Sequence, residues 1–296
     1  MDPHVSSQAP SAPVNAPQLL LNLIDRHWEI YKTERKLCRE QFSSEAVRGL
    51  RIATRRMLTL VRLLRSLNLG PHLQELRFTF KGQLDSFNAL RDTQVVLAEI
   101  SGTVQEIPTL LPFSRYLQKR EKRVLRSIKK NFTQFSPGDT ARRIARGGES
   151  FEEDAIENIP VRILQTVDEA FLITGQRLQR VDPADPVTIH SVRLAFKKFR
   201  YLVEMIHPVL INFPPENLGQ MKNYQGLMGR IQDLQVILQT LAEFVARTPS
   251  YDPLPALRFY EKSHTGAISI YLAGMGAINN FWRLTPDRLF PWEKVK

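Results

Sequence analysis

The sequence predicts an all-α fold of two tandem, pseudo-symmetric four-helix bundles, and three observations support it. Nearly every segment carries apolar residues at helical spacing, whereas the period-two alternation of strands is scarce. The 296 residues are 43% apolar, which is enough for a packed core. A basic segment at 47–57 returns at 189–199, which indicates two copies of one helical unit.

Four helices are expected in the first half of the chain, 18–135. They are predicted at 18–40, 45–67, 72–100 and 112–132 from their apolar period. The last of them is dense in arginine and lysine between Arg115 and Lys130, and whether it joins a binding surface is left open. The preceding residues, 1–17, are rich in proline, serine and alanine and are expected to form a disordered leader.

The second half, 160–296, is expected to repeat this plan after a linker at 136–159. Its helices are predicted at 160–180, 188–210, 216–247 and 254–282. Asp185 is an expected cap for the second of these helices, and Pro186 suits a first helical turn.

The two copies agree at their basic positions over a spacing of about 142 residues. The matched pairs are Arg48 with His190, Arg51 with Arg193, Arg55 with Lys197, and Arg56 with Lys198. Further along, residues 90–97 resemble 231–238, so that Asp92 matches Asp233, while Lys81 matches Lys222. The feature that repeats best is cationic, which points to an anionic partner.

Each repeated basic helix is predicted to have one apolar and one cationic face. On a helix that turns about 100° per residue, Arg51, Arg55 and Arg62 share a stripe opposite the apolar positions. A solvated face normally mixes charges of both signs, but no acidic residue occurs from 47 to 65 or from 189 to 202. Because arginine forks suit phosphate and carboxylate oxygens, the two stripes predict anion-binding surfaces.

Composition restricts the class of protein further. A formal net charge of +11 favours polyanionic partners. Cys38 is the only cysteine, so an intramolecular disulfide is excluded, and the histidines lack the spacing of metal ligands; neither a metal nor a cofactor is predicted. No segment has the apolar length of a membrane span, and the N-terminus lacks the layout of a secretory signal. We expect a soluble cytoplasmic protein, and the sequence leaves its oligomeric state open.

Asp92 and Asp233 admit two interpretations. They would serve either as magnesium ligands and carboxylates for hydrolysis, or as groups that orient nearby arginines. One carboxylate per half is little for a metal site, and the chain has neither a Walker loop nor a kinase-type glycine loop. We therefore expect the second role, and no catalytic residue is predicted.

The second copy carries the pattern H-x-x-R-x-x-x-K-K-x-R-Y from His190 to Tyr201, followed by G-R-I-Q-D ending at Asp233. The first copy matches through R-I-A-T-R-R, which begins at Arg51, and through L-R-D, which ends at Asp92. These motifs resemble those of the CHAD family, named for a histidine in an α-helical domain. The resemblance extends over nearly the whole chain after about residue 18.

This resemblance implies two four-helix bundles that face each other across a basic groove or pore. It also implies non-catalytic binding of inorganic polyphosphate and a location at polyphosphate granules. Some relatives carry a fused triphosphate-tunnel (CYTH) domain, whose Glu-x-Glu-x-Lys signature is absent here, so a stand-alone CHAD domain is expected. The first copy has Arg48 in place of the family histidine and Leu58 at the position of Arg200, while Gln232 matches Arg91 in the second copy; equal use of both halves is therefore not expected.

The predicted polyphosphate-binding residues are basic and come from both halves. In the first half they are Arg48, Arg51, Arg55, Arg56, Arg62, Arg77, Lys81 and Arg91, and in the second half they are His190, Arg193, Lys197, Lys198, Arg200, Lys222 and Arg230.

Two other functions stay open. One is binding to nucleic-acid backbones without sequence preference, although the stripes are poor in aromatic residues that stack on bases. The other is hydrolysis of phosphoanhydrides.

Overall fold

The computed structural model describes residues 16–67, 73–132 and 158–293, and over these ranges the secondary structure is helical. The helices are α1 (Ala16–Gln41), α2 (Ser44–Ser66), α3 (Leu73–Ser86), α4 (Asn88–Thr103), α5 (Leu111–Asn131), α6 (Ile159–Leu178), α7 (Pro186–Ile206), α8 (Pro215–Arg247) and α9 (Leu254–Gly274). Within the described ranges, extended pairing is limited to an isolated bridge between Asp182 and Asp185. The all-α prediction is confirmed. The expected leader and linker lie outside the described residues, except for the last two positions of each.

The two basic helices, α2 and α7, begin at defined caps. The Ser43 hydroxyl accepts a hydrogen bond from the backbone N–H of Ala46 at 3.1 Å. The Asp185 carboxylate accepts one from the N–H of Val187 at 3.0 Å, and Pro186 occupies the first turn of α7. Because a cap fixes where a helix starts, it also fixes the direction in which each basic side chain leaves its helix.

The helix predicted at 72–100 is divided at Phe87 into α3 and α4. The backbone N–H of Phe87 donates to the carbonyl of Leu84 at 3.2 Å, and the guanidinium of Arg51 donates to that same carbonyl at 2.9 Å. Arg51 also donates to the side-chain oxygen of Asn88 at 3.0 Å, on the first residue of α4. The matching helix in the second half, α8, runs unbroken from Pro215 to Arg247.

Helices α2 and α7 lie at the centre of the fold and contact each other. Helices α1 and α3 pack against α2, while α6 and α8 pack against α7. The larger apolar core joins both halves, since Leu50 and Met57 of α2 belong to the same cluster as Phe196 and Phe199 of α7. Each of these four side chains is almost fully buried and contributes about 1.5–3 kcal/mol to stability.

A second apolar core lies where α4 and α5 meet the later part of α8 and the start of α9. It contains Val96 and Phe113 from the first half together with Ile237 and Tyr260 from the second. Both cores therefore draw residues from both halves of the chain. Their packing holds the basic sides of α2 and α7 next to each other.

Candidate anion-binding site

A cavity of about 460 Å³, the central cavity, lies between the basic helices and the helices that follow them in each half. It is lined by Arg51, Arg55, Leu84, Asp85, Asn88, Arg91, Asp92, Val95, His190, Arg193, Leu194, Lys197, Gln232, Asp233 and Val236. Five matched pairs of the repeat meet here: Arg51 with Arg193, Arg55 with Lys197, Arg91 with Gln232, Asp92 with Asp233, and Val95 with Val236. Residues some 142 positions apart in the chain thus share one enclosed space.

A second cavity of about 380 Å³, the side cavity, adjoins the first. Its lining consists of Arg48, Arg51, Ile52, Arg55, Arg56, Arg91, Arg200, Tyr201, Glu204, Lys222 and Gln225. Arg51, Arg55 and Arg91 line both cavities, so the two lie on either side of these three guanidinium groups. Together the central and side cavities form what we call the basic passage.

Lys197 is the most strongly perturbed cation of the central cavity. Burial lowers its pKa from 10.5 to about 7, and the charge of Arg55 is the next largest cause, followed by that of Arg193. The pKa of Arg51 falls to about 10 for the same two reasons, burial first and the charge of Arg55 second. Cations crowded in a poorly solvated space repel one another, and a bound anion would relieve that repulsion.

Asp92 and Asp233 face the same cavity among the arginines. Partial enclosure by protein raises the pKa of each carboxyl, although the surface of Asp92 remains open to the cavity. In the opposite direction, the positive charges of Arg51 and Arg91 lower the pKa of Asp92. The charges of Arg193 and Arg91 do the same for Asp233. In the part of the chain that the structure describes, no group of three or more histidine, cysteine, aspartate or glutamate side chains is arranged to hold a metal ion.

Two polar atoms in the central cavity lack hydrogen-bond partners, namely Nδ1 of His190 and Nε of Arg193. The pKa of His190 is lowered by burial and by the charge of Arg193, against a hydrogen bond with Gln232 that raises it. Buried polar atoms normally find partners. The Nε–H of Arg193 is therefore an unused donor, and Nδ1 of His190 becomes a second one when the ring is protonated.

Arg51 and Arg200 have structural contacts in addition to their place in the basic passage. Arg51 is 6% exposed and holds the junction between α3 and α4. Arg200 forms an ion pair with Glu204, donates to the amide oxygen of Gln225 at 3.0 Å, and lies over the ring of Tyr201. Arg48, Arg56 and Lys222 also line the side cavity, and their side chains form no hydrogen bond or ion pair with other residues in the described part of the chain.

Five of the predicted residues do not line the basic passage. Arg230 forms a twofold ion pair with Glu99 at 2.8 Å, and the exposed Lys81 binds Asp85 at 2.8 Å. The other three, Arg62, Arg77 and Lys198, form a separate basic cluster with Arg177 of α6. The basic stretch Arg115–Lys130 is not part of the lining of either cavity, and its Arg120 pairs with Glu243 at 2.8 Å.

Several lining residues were not anticipated from the sequence. Asn88 and Gln225 are uncharged, and Glu204 has the wrong sign for the expected surface. Arg177 lies in α6, outside the repeated motifs, and donates to the carbonyl of Ser191 at 3.0 Å. Gln232 carried a signal through its match to Arg91, and Tyr201, Val95 and Val236 lie within the matched motifs.

Both the sequence and the fold of this chain match a known family. Residues 22–242, most of the chain and all of the paired motifs, match the sequence model of the CHAD domain. This chain belongs to the CHAD domain family. The fold agrees, because the crystal structure of the CHAD domain from the plant Ricinus communis superposes with a TM-score of 0.65 at 19% sequence identity, covering 93% of this chain and 94% of that one.

A search of curated proteins yields no match to the chain. Among the helices that the structure describes, none combines the length and apolar character that crossing a membrane requires.

Proposed function

We propose that this CHAD domain protein binds inorganic polyphosphate in the basic passage and does not hydrolyse it. The observation that carries the proposal is the convergence of both basic motifs on one cavity, where Arg55 stands beside Lys197. As parts of the same proposal, the protein acts in the cytoplasm and at polyphosphate granules.

A phosphate chain suits this environment for electrostatic reasons. Arginine forks and a lysine ammonium replace the counterions of a linear polyanion, and the release of those ions supplies much of the affinity. Field lines concentrate between cationic walls of low dielectric constant, which raises the local concentration of the anion. The unpartnered Nε–H of Arg193 adds a donor for a phosphate oxygen, and His190 Nδ1 adds another when its ring is protonated.

The dimensions of the passage favour polyphosphate over nucleic acid. A cavity of about 460 Å³ is in the range of small-ligand sites, and it admits an unbranched phosphate chain. A duplex carries its phosphates on the outside of a wide cylinder and would reach only the rim. The lining aromatic residue, Tyr201, is 7% exposed and already lies beneath Arg200, which leaves little ring surface for stacking bases.

A binding role also fits the surroundings of the two carboxylates. Asp92 and Asp233 have arginines as their strongest charged neighbours, and these guanidinium groups compete with a metal ion for the carboxylate oxygens. We therefore assign them the role of holding arginines in place.

Titration with polyphosphate, duplex DNA and single-stranded RNA over a range of salt concentrations tests the proposal. The double variant Arg55→Glu/Arg193→Glu is expected to lose polyphosphate binding, while Arg123→Glu/Arg126→Glu on the outer surface of α5 makes the same charge change as a matched control. Circular dichroism checks that both variants keep their helices. Equal or tighter binding of nucleic acid at matched salt, or equal losses in both variants, would refute the proposal.

A further inference from the structure

A third cavity, the flank cavity, lies between α1 and the end of α7 and has a volume of about 230 Å³. It is lined by Leu23, Arg26, His27, Ile30, Arg56, Tyr201, Glu204, Met205, His207, Pro208 and Leu218. Arg56, Tyr201 and Glu204 also line the side cavity. The flank cavity therefore adjoins the basic passage at these three side chains.

Two residues that line the flank cavity carry a buried polar atom without a partner, Nδ1 of His27 and Oε2 of Glu204. The His27 side chain is 9% exposed, and the other carboxylate oxygen of Glu204 is paired with Arg200. Leaving a buried donor or acceptor unsatisfied costs about 1–3 kcal/mol. A phosphate chain would not satisfy Glu204, because a carboxylate accepts hydrogen bonds and repels phosphate oxygens.

The His27 side chain is polar but uncharged. Its pKa is lowered from 6.5 to about 4, mainly by burial and then by the nearby charges of Arg56 and Arg26, so the ring is neutral near pH 7. A neutral imidazole offers one donor and one acceptor. Together with Glu204, it provides hydrogen-bonding positions for an uncharged group that carries N–H donors and ring acceptors.

Most of the remaining wall of the flank cavity is apolar, with Arg26 and His207 as the exceptions. Leu23 and Ile30 come from α1, Met205 from α7, and Leu218 from the first turn of α8. Apolar walls with a few placed polar atoms are typical of sites for small organic groups. A cavity of this volume accommodates a group of the size of a nucleobase.

We propose that the side and flank cavities together bind a nucleoside polyphosphate, with its phosphates beside Arg48, Arg56 and Lys222 and its base in the flank cavity. This inference rests on the proposed function, since it needs the side cavity to bind phosphate. Arg56 lies at the junction of the two cavities, next to the linkage between phosphates and nucleoside. Glu204 and His27 then acquire the partners that they lack.

Calorimetric titration with ATP, GTP and inorganic tripolyphosphate tests this inference, because the three ligands share a triphosphate chain. We expect at least one of the nucleotides to bind about tenfold more tightly than tripolyphosphate, which corresponds to about 1.4 kcal/mol. Leu218→Trp, which fills the flank cavity, and His27→Leu should each remove that advantage and leave tripolyphosphate binding unchanged.

Each outcome is decisive. Equal affinities for all three ligands overturn this inference and leave the proposed function intact, whereas no binding of any of them, polyphosphate included, overturns both. A nucleotide advantage that persists in Leu218→Trp and His27→Leu also overturns it, because the base would then lie elsewhere. Thermal unfolding of both variants excludes misfolding as the cause of a loss.

Discussion

Arg55 of α2 and Lys197 of α7 occupy matching positions of the repeat and line the same cavity, and the charge of Arg55 is the largest electrostatic cause of the lowered pKa of Lys197. The pair shows that the internal repeat brings like charges together rather than dispersing them over the surface. Such an arrangement costs stability in the absence of a ligand. The cost is measurable, and it changes with pH and with bound anion.

Lys197→Met is expected to stabilise the unliganded protein at and below pH 7, raising the melting temperature by a few degrees. In the wild type the unfolded chain binds more protons than the folded one between pH 7 and pH 10.5, because the pKa of Lys197 is lowered from 10.5 to about 7 on folding. The stability of the wild type therefore rises with pH across that window, and the advantage of the variant shrinks. A variant whose advantage does not change with pH would show that Lys197 is not the responsible group.

Binding of polyphosphate is expected to draw protons from solution just above pH 7. A bound anion favours the charged form of Lys197 and raises its pKa, so the complex carries more protons than the free protein. Calorimetry in buffers of different ionisation enthalpy measures this uptake, and affinity should fall as the pH rises. The Lys197→Gln variant should show no proton uptake on binding. If proton uptake persists in this variant, His190 or another group takes the proton.

Arg51→Met is expected to destabilise the fold by about 1–3 kcal/mol, because the junction of α3 and α4 loses the hydrogen bonds to Leu84 and Asn88. Arg55→Met, one turn further along the same helix, should leave stability unchanged or improved and should weaken polyphosphate binding. Urea unfolding and salt-controlled binding assays distinguish the two roles. Equal stability of the two variants would contradict the structural role given to Arg51.

Asp233→Asn is expected to tighten polyphosphate binding severalfold at low salt, since it removes a negative charge from the wall of the central cavity, while the amide oxygen still accepts hydrogen bonds from the arginines that Asp233 holds in place. Asp92→Asn, the matched change in the first half, should act in the same direction. An assay for orthophosphate release in the presence of magnesium accompanies the titration. Release by the wild type that disappears in both variants would favour the hydrolase alternative over the binding role.

The features best predicted from the sequence are those that follow from the internal repeat. The period of the apolar residues located the helices, and the matched basic positions identified Arg55, Arg193 and Lys197, whose side chains meet in the central cavity. The break at Phe87 was missed because it has no glycine or proline to mark it. It depends on a contact between Arg51 and the carbonyl of Leu84, which no local pattern in the sequence reports.

The flank cavity was missed for a related reason. His27 and Glu204 belong to helices whose periodicity explains them as ordinary members of α1 and α7. Their proximity arises only when α1 packs beside the end of α7. Arg230 and Lys81 were predicted from their basic character, but each has an acidic partner. Asp85 lies one turn after Lys81 and is visible in the sequence, whereas the position of Glu99 beside Arg230 becomes evident only in three dimensions.

Both apolar cores are built jointly from the two halves, and the basic passage follows the seam between them. A ligand that contacts α2 and α7 at the same time links the two halves of the chain. Occupancy should therefore make the whole molecule harder to melt, in proportion to ligand concentration. Abundant phosphate polymer would then protect its own receptor against heat and proteases.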